Sequence, residues 1–160
     1  MDQLISNGNL DIFIKLFVAM ALGMIIGTER VIAHKTVGMR TYALVALGAA
    51  LFVSISEMMA LTYFGGGDLN PAQIPAAIVT GIGFLGAGLM IFKDNKIAGV
   101  TTASSIWLVA GIGIACGFGM FSLALMATGL TLFVFIVLWF VEEKIKNLPS
   151  VKSSNTNTDI

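Results

Sequence analysis

The chain has 160 residues, 57% of them hydrophobic and 11% charged, with nine Lys/Arg against nine Asp/Glu and a mean hydropathy of +0.93. A water-soluble domain carries roughly 25% charged residues, and a soluble fold of this length could not hide so much apolar surface behind so few charges. The same balance excludes a disordered chain and a nucleic-acid binder, which shows a clustered basic excess, and it argues against an enzyme of soluble substrates.

About 20 helical residues at ~1.5 Å each cross a hydrocarbon core of ~30 Å, and five apolar runs are candidates: residues 10–27, 41–63, 72–92, 100–116 and 121–141. The expected fold is an all-α integral membrane domain of five transmembrane helices over residues 10–141. Residues 1–9 are read as a periplasmic N-terminal segment and 142–160 as a cytoplasmic polar tail, disordered from Pro149 onward.

The first run is broken only near its start, by Asp11 and Lys15, an i,i+4 pair suited to the interface. It is not read as a cleaved signal, because no Lys or Arg precedes it. The break at 28–40 is the richest in charge. Glu29 is flanked by Arg30 and Arg40, which can form a bidentate network with it, and Gly27 and Gly38 allow sharp exits from the helices. His34, in the same break, has no second ligand at metal spacing and reads as a solvated loop residue.

In the second run Glu57 is the acid furthest inside a span. Intramembrane acids cost about 2.5–3.5 kcal/mol on insertion scales and are functional candidates, although Glu57 lies in the outer third, within reach of headgroups. The break at 64–71 contains a Gly65-Gly66-Gly67-Asp68 turn.

The third run contains Gly81-Ile82-Gly83-Phe84-Leu85-Gly86. This spells a dinucleotide fingerprint, but that motif needs a strand before it and a soluble βαβ unit around it, so the match is discarded. With Thr80 and Gly88 the glycines are read as a helix-packing surface, as are Gly23 and Gly27 on helix one and Gly113 and Gly117 on helix four. A dimer face or a backbone-lined ion path is the alternative. The fourth run opens Thr101-Thr102-Ala103-Ser104-Ser105, hydroxyls that can pack helices or line a narrow water path.

Catalytic, metal and cofactor residues are not found. The single histidine and single cysteine, Cys116, fall on opposite faces, one cysteine supplies neither a disulfide nor a zinc site, and one intramembrane Glu is a thin Mg²⁺ site. The protein is read as not an enzyme.

Eight of the nine basic residues fall in the breaks at 28–40 and 93–99 and in the tail. The positive-inside rule then puts the N-terminus outside and the C-terminus in the cytoplasm. The zero net charge becomes +3 inside, −2 outside and −1 at Glu57, and the inner surplus favours anionic lipid. Shifting the chain by 61 residues pairs Gly27 with Gly88, Lys35 with Lys96, Gly38 with Gly99 and Thr41 with Thr102. Two parallel helix-hairpin repeats plus a fifth helix are therefore expected.

The segments GTER (27–30), VGMRTYALVALGAALF (37–52), VTGIGFLGAG (79–88) and GVTTASSIW (99–107) together resemble the MgtC/SapB family of bacterial inner-membrane proteins, over residues 13–141. The resemblance implies a five-helix inner-membrane domain linked to growth under Mg²⁺ limitation, virulence or stress adaptation, and to control of membrane energetics rather than Mg²⁺ pumping. Three departures stand out. Gln73 and Ala77 replace the Arg and Gln often found before the glycine run, Ala98 replaces a basic residue before GVTTA, and a short tail stands where long members carry a soluble domain.

The leading expectation is a regulator or accessory of ion homeostasis that contacts lipid, a second copy of itself or another inner-membrane complex. Glu29, Arg30, Arg40 and Thr41 would form its functional cluster. The competing expectation is a Mg²⁺, proton or other ion channel or transporter, with Thr80, Thr101, Thr102 and Ser105 lining a path and Glu57 at its outer mouth.

Overall fold

Lipid offers no water to satisfy a peptide group, so long apolar runs close their backbone hydrogen bonds internally as helices. The computed structural model describes residues 2–64, 70–93 and 96–146. Its helices are α1 (Asp2–Ile32), α2 (Met39–Phe64), α3 (Gln73–Leu89), α4 (Val100–Gly117) and α5 (Phe121–Lys146). Four contain stretches long and apolar enough to cross a membrane: Asn9–Ile32, Met39–Tyr63, Val100–Gly117 and Phe121–Ile145. The glycine turn at 65–68 and the polar tail from Pro149 lie outside the described residues.

Two elements depart from expectation. At 17 residues α3 is shorter than the 72–92 run, about 25 Å of helix. The chain then turns extended into two short strands, β1 (Ile91–Lys93) and β2 (Lys96–Ala98), paired antiparallel with Ile91 opposite Ala98 and Lys93 opposite Lys96. The backbone at Gly99 fixes the return, since its φ of 89° lies in the left-handed region and any Cβ there would strike the Leu89 carbonyl oxygen. The second departure is α1, which runs through the GTER segment to Ile32 instead of ending at Gly27. It stops at His34, whose φ is 54°. The His34 N–H bonds the Val31 carbonyl and the Lys35 N–H bonds the Arg30 carbonyl, a Schellman closure.

The core mixes alanines with larger aliphatic side chains and one tyrosine. Ala19, Leu22 and Ile26 of α1, Tyr42, Ala46 and Ala50 of α2, and Ile106, Val109, Ile112 and Cys116 of α4 form one buried cluster. Glycines permit this close approach where hydrophobic burial gives helices little drive to associate. A Cβ on Gly23 would lie 2.6 Å from the Tyr42 carbonyl oxygen, and one on Gly27 would lie 2.6 Å from the Met39 Cα. On α4, Gly113 faces the backbone of Ala46, and a Cβ on Gly117 would lie 2.6 Å from that of Val53. These pairings make α1 antiparallel to α2 and α2 parallel to α4.

The α3 glycines behave differently. Gly86 packs on Ala103, with 3.6 Å from an added Cβ, whereas Gly81, Gly83 and Gly88 would meet nothing within 4 Å. Among the described residues the packing role expected of those three is not exercised, because α3 leans on α4 by one edge and turns its other side outward, with Phe84 82% exposed. Helices α2 and α4 begin 61 residues apart, at Met39 and Val100, but six residues connect α1 to α2 where a β-hairpin connects α3 to α4.

Candidate functional site

Polar side chains gather at two levels of the α1–α2 pair. Near the C-terminal end of α1, Arg30 is only 4% exposed. Its Nε donates to the neighbouring Glu29 carboxylate, and its guanidinium lies 3.4 Å from the centroid of the Phe135 ring on α5. A planar, weakly hydrated cation is suited to such stacking, in a way a lysine ammonium is not. Nearby, Tyr42 is fully buried, its hydroxyl 2.5 Å from Ser105 Oγ. Since Ser105 Oγ donates to the Thr102 carbonyl at 2.8 Å, the tyrosine hydroxyl donates to the serine. A short relay thus ties α2 to α4.

Fifteen residues earlier, about 22 Å along α1, Lys15 is 8% exposed. Its Nζ donates to Glu57 Oε2 at 2.8 Å and lies 3.2 Å from Asp11 Oδ2. The i,i+4 pair with Asp11 is present, but Lys15 does not sit free at the interface. It bridges α1 to α2, and its stem passes beside Gly119. One ammonium between two carboxylates leaves a formal charge of −1. Three residues before Glu57, on the same side of α2, Ser54 Oγ is buried without a partner among the described residues.

The structure brings together some of the anticipated residues and separates others. Glu29 and Arg30 pair, but Arg40 does not join them; it is exposed and takes part in no ion pair among the described residues. The reason is that Arg30 turns into the bundle toward Phe135 while Arg40 opens α2 on its outer side. Thr41 is exposed as well. Thr80 is exposed and returns its hydroxyl to the Ala76 carbonyl at 2.9 Å, and Thr101 is exposed on α4, whereas Thr102 and Ser105 are buried. The four hydroxyls therefore do not share one channel-like surface. Glu57 is the carboxylate partner of Lys15. Among the described residues no group of three His, Cys, Asp or Glu is placed to hold a metal.

Sequence reasoning overlooked the burial of Lys15, and with it the contact to Glu57. A signal existed: Lys15 is the one cation inside the first run and Glu57 the one acid inside the second, and antiparallel helices put their depths level. Tyr42 and Phe135 carried no comparable mark.

Helices of this length and apolarity, packed through glycines and with the buried cations Lys15 and Arg30 held in ion pairs, define a multi-pass helical membrane protein. The chain matches the MgtC family over residues 16–144. It is 42% identical to Protein MgtC of Salmonella typhimurium (strain 14028s / SGSC 2262) over 136 residues, 85% of this chain and 56% of that protein. It is 43% identical to Protein MgtC of Brucella abortus (strain 2308) over 110 residues, 69% of this chain and 44% of that one. It belongs to the MgtC family. The chain spans about half the length of these curated relatives, and no solved structure matches it.

Proposed function

We propose that the protein is a regulator or accessory of ion homeostasis and membrane energetics in the bacterial inner membrane, working by helix contact with itself or a partner complex. It would serve adaptation to Mg²⁺ limitation or stress without conducting ions. The supporting observation is the use already made of its polar groups. Ser105 is bonded to Tyr42 and to the Thr102 carbonyl, Arg30 is committed to Glu29 and Phe135, and Lys15 to Glu57 and Asp11. The α1–α2 and α2–α4 seams are closed by close glycine contacts. Such an interior suits a scaffold for contact better than a conduit.

In this reading α3 is a fifth pass at the short end of the spanning range. The N-terminus lies outside, and Arg30, Lys35 and Arg40 face the cytoplasm as the positive-inside rule requires. The common spacing of the α2 and α4 starts supports two parallel hairpin units followed by α5. Exposed and free of the ion pairs of the bundle, Arg40 is the residue offered to a partner. Charge reversal by Arg40→Glu is expected to abolish recovery of the partner after crosslinking in native membranes while the protein remains inserted. Unchanged recovery would remove the docking role.

A further inference from the structure

Between α2 and α3 lies a cleft of about 890 Å³, within the ~300–1,000 Å³ typical of sites for apolar ligands. At the end where α2 begins it is walled by Thr41, Leu44, Gly48 and Phe52 and, across the gap, by Gly81 and Leu85. Neither Gly48 nor Gly81 has a heavy atom within 4 Å of where a Cβ would stand, so the absent side chains on both walls make the recess. Leu44, Phe52 and Leu85 are all more than half exposed; inside a membrane, that exposure is to hydrocarbon.

Among the described residues the two ends of the cleft differ in charge. At the far end the described lining residues Ser56, Asn70 and Gln73 are neutral. At the near end Arg40 precedes Thr41 and stands one helical turn before Leu44, hence on the same side of α2. It is exposed and, among the described residues, unpaired, while the nearby Glu29 is taken by Arg30. An unpaired guanidinium beside an apolar slot matches a phosphate carried on acyl chains, since its fork of donors suits phosphate oxygens.

We infer that the Thr41 half of the α2–α3 cleft holds the acyl chains of one anionic phospholipid, with Arg40 binding its headgroup phosphate. The site does not depend on the regulatory role proposed above. The full chain in mild detergent, equilibrated with equal amounts of phosphatidylglycerol and phosphatidylcholine and examined by native mass spectrometry, tests it. One phosphatidylglycerol per chain is retained with about a five-fold preference, the equivalent of ~1 kcal/mol for one basic residue at an anionic surface.

Arg40→Ala brings the preference to parity. Gly48→Leu with Gly81→Leu fills the cleft and loses both lipids with Arg40 in place, so loss of lipid is separable from loss of the arginine as a docking residue. Circular dichroism and gel filtration verify the fold of the doubly substituted protein, and Arg40→Ala, at an exposed position, tests the site on its own. Equal retention of the two lipids by the unaltered chain overturns the inference. So does a preference that survives either change, or a dimer without lipid that the cleft-filling pair abolishes, which would assign the cleft to a second copy.

Discussion

Lys15 illustrates how a charge changes meaning between sequence and structure. One turn from Asp11, it has the spacing of a surface pair, and that pair forms; the larger fact, its burial against Glu57, needs the fold. Surface pairs contribute about 0–1 kcal/mol, whereas breaking a buried pair by removing one partner costs about 3–5 kcal/mol. The cost here falls between these values because the carboxylate side chains are 59% and 44% exposed. Lys15→Ala is expected to destabilise the protein more than Glu57→Gln, since it strands two acids, whereas Glu57→Gln leaves the lysine paired with Asp11. The double substitution should lose less than the two single losses added together. Unfolding of the three variants in detergent measures this, and strict additivity would mean that the pair is not coupled. Arg30 carries the same lesson at the other level, for its stacking on Phe135 joins residues more than a hundred positions apart that no local pattern connects.

At the scale of elements, the long spans were legible because hydrophobic length is a local property and lipid demands helices. Their ends were less so. Gly27 has the composition of a helix stop, yet α1 continues because the glycine is used for contact with Met39, and the true stop falls at His34, a residue without the usual glycine signature. The β1–β2 hairpin was hidden for a similar reason: Ile91 and Phe92 read as the tail of an apolar run and Lys93 as the start of a plain break, and the reversal is set by the backbone at Gly99.

The glycines themselves divide into two groups with opposite expectations. Gly23→Ala puts a methyl group 2.6 Å from the Tyr42 carbonyl oxygen and must part α1 from α2, costing about 1–3 kcal/mol as overpacking does. Gly48→Ala meets open space and gains up to about 1 kcal/mol of helix propensity. A lower unfolding midpoint for the first and an unchanged or higher one for the second would establish the division. The reverse order would show that α1 and α2 are not held by this contact.

Taken as a whole molecule, the chain pairs the two buried cations of α1, Lys15 and Arg30, with carboxylates and places small residues along the α1–α2 and α2–α4 seams, leaving α3 at the margin with a cleft beside it. Membership of the MgtC family was readable from four motifs because their residues are contiguous in sequence. The partition of those motifs was not: GTER and the threonine–serine segment contribute Arg30, Thr102 and Ser105 to the interior, while Arg40, Thr80 and Thr101 remain outside. That partition favours the proposed contact role over a polar path. The direct test is ion flux through the full-length chain reconstituted in sealed liposomes, followed with proton- and Mg²⁺-sensitive dyes under an imposed gradient and potential. A contact regulator gives traces that coincide with those of protein-free liposomes; flux above that baseline, abolished by Thr102→Val, would contradict it and restore the conducting alternative.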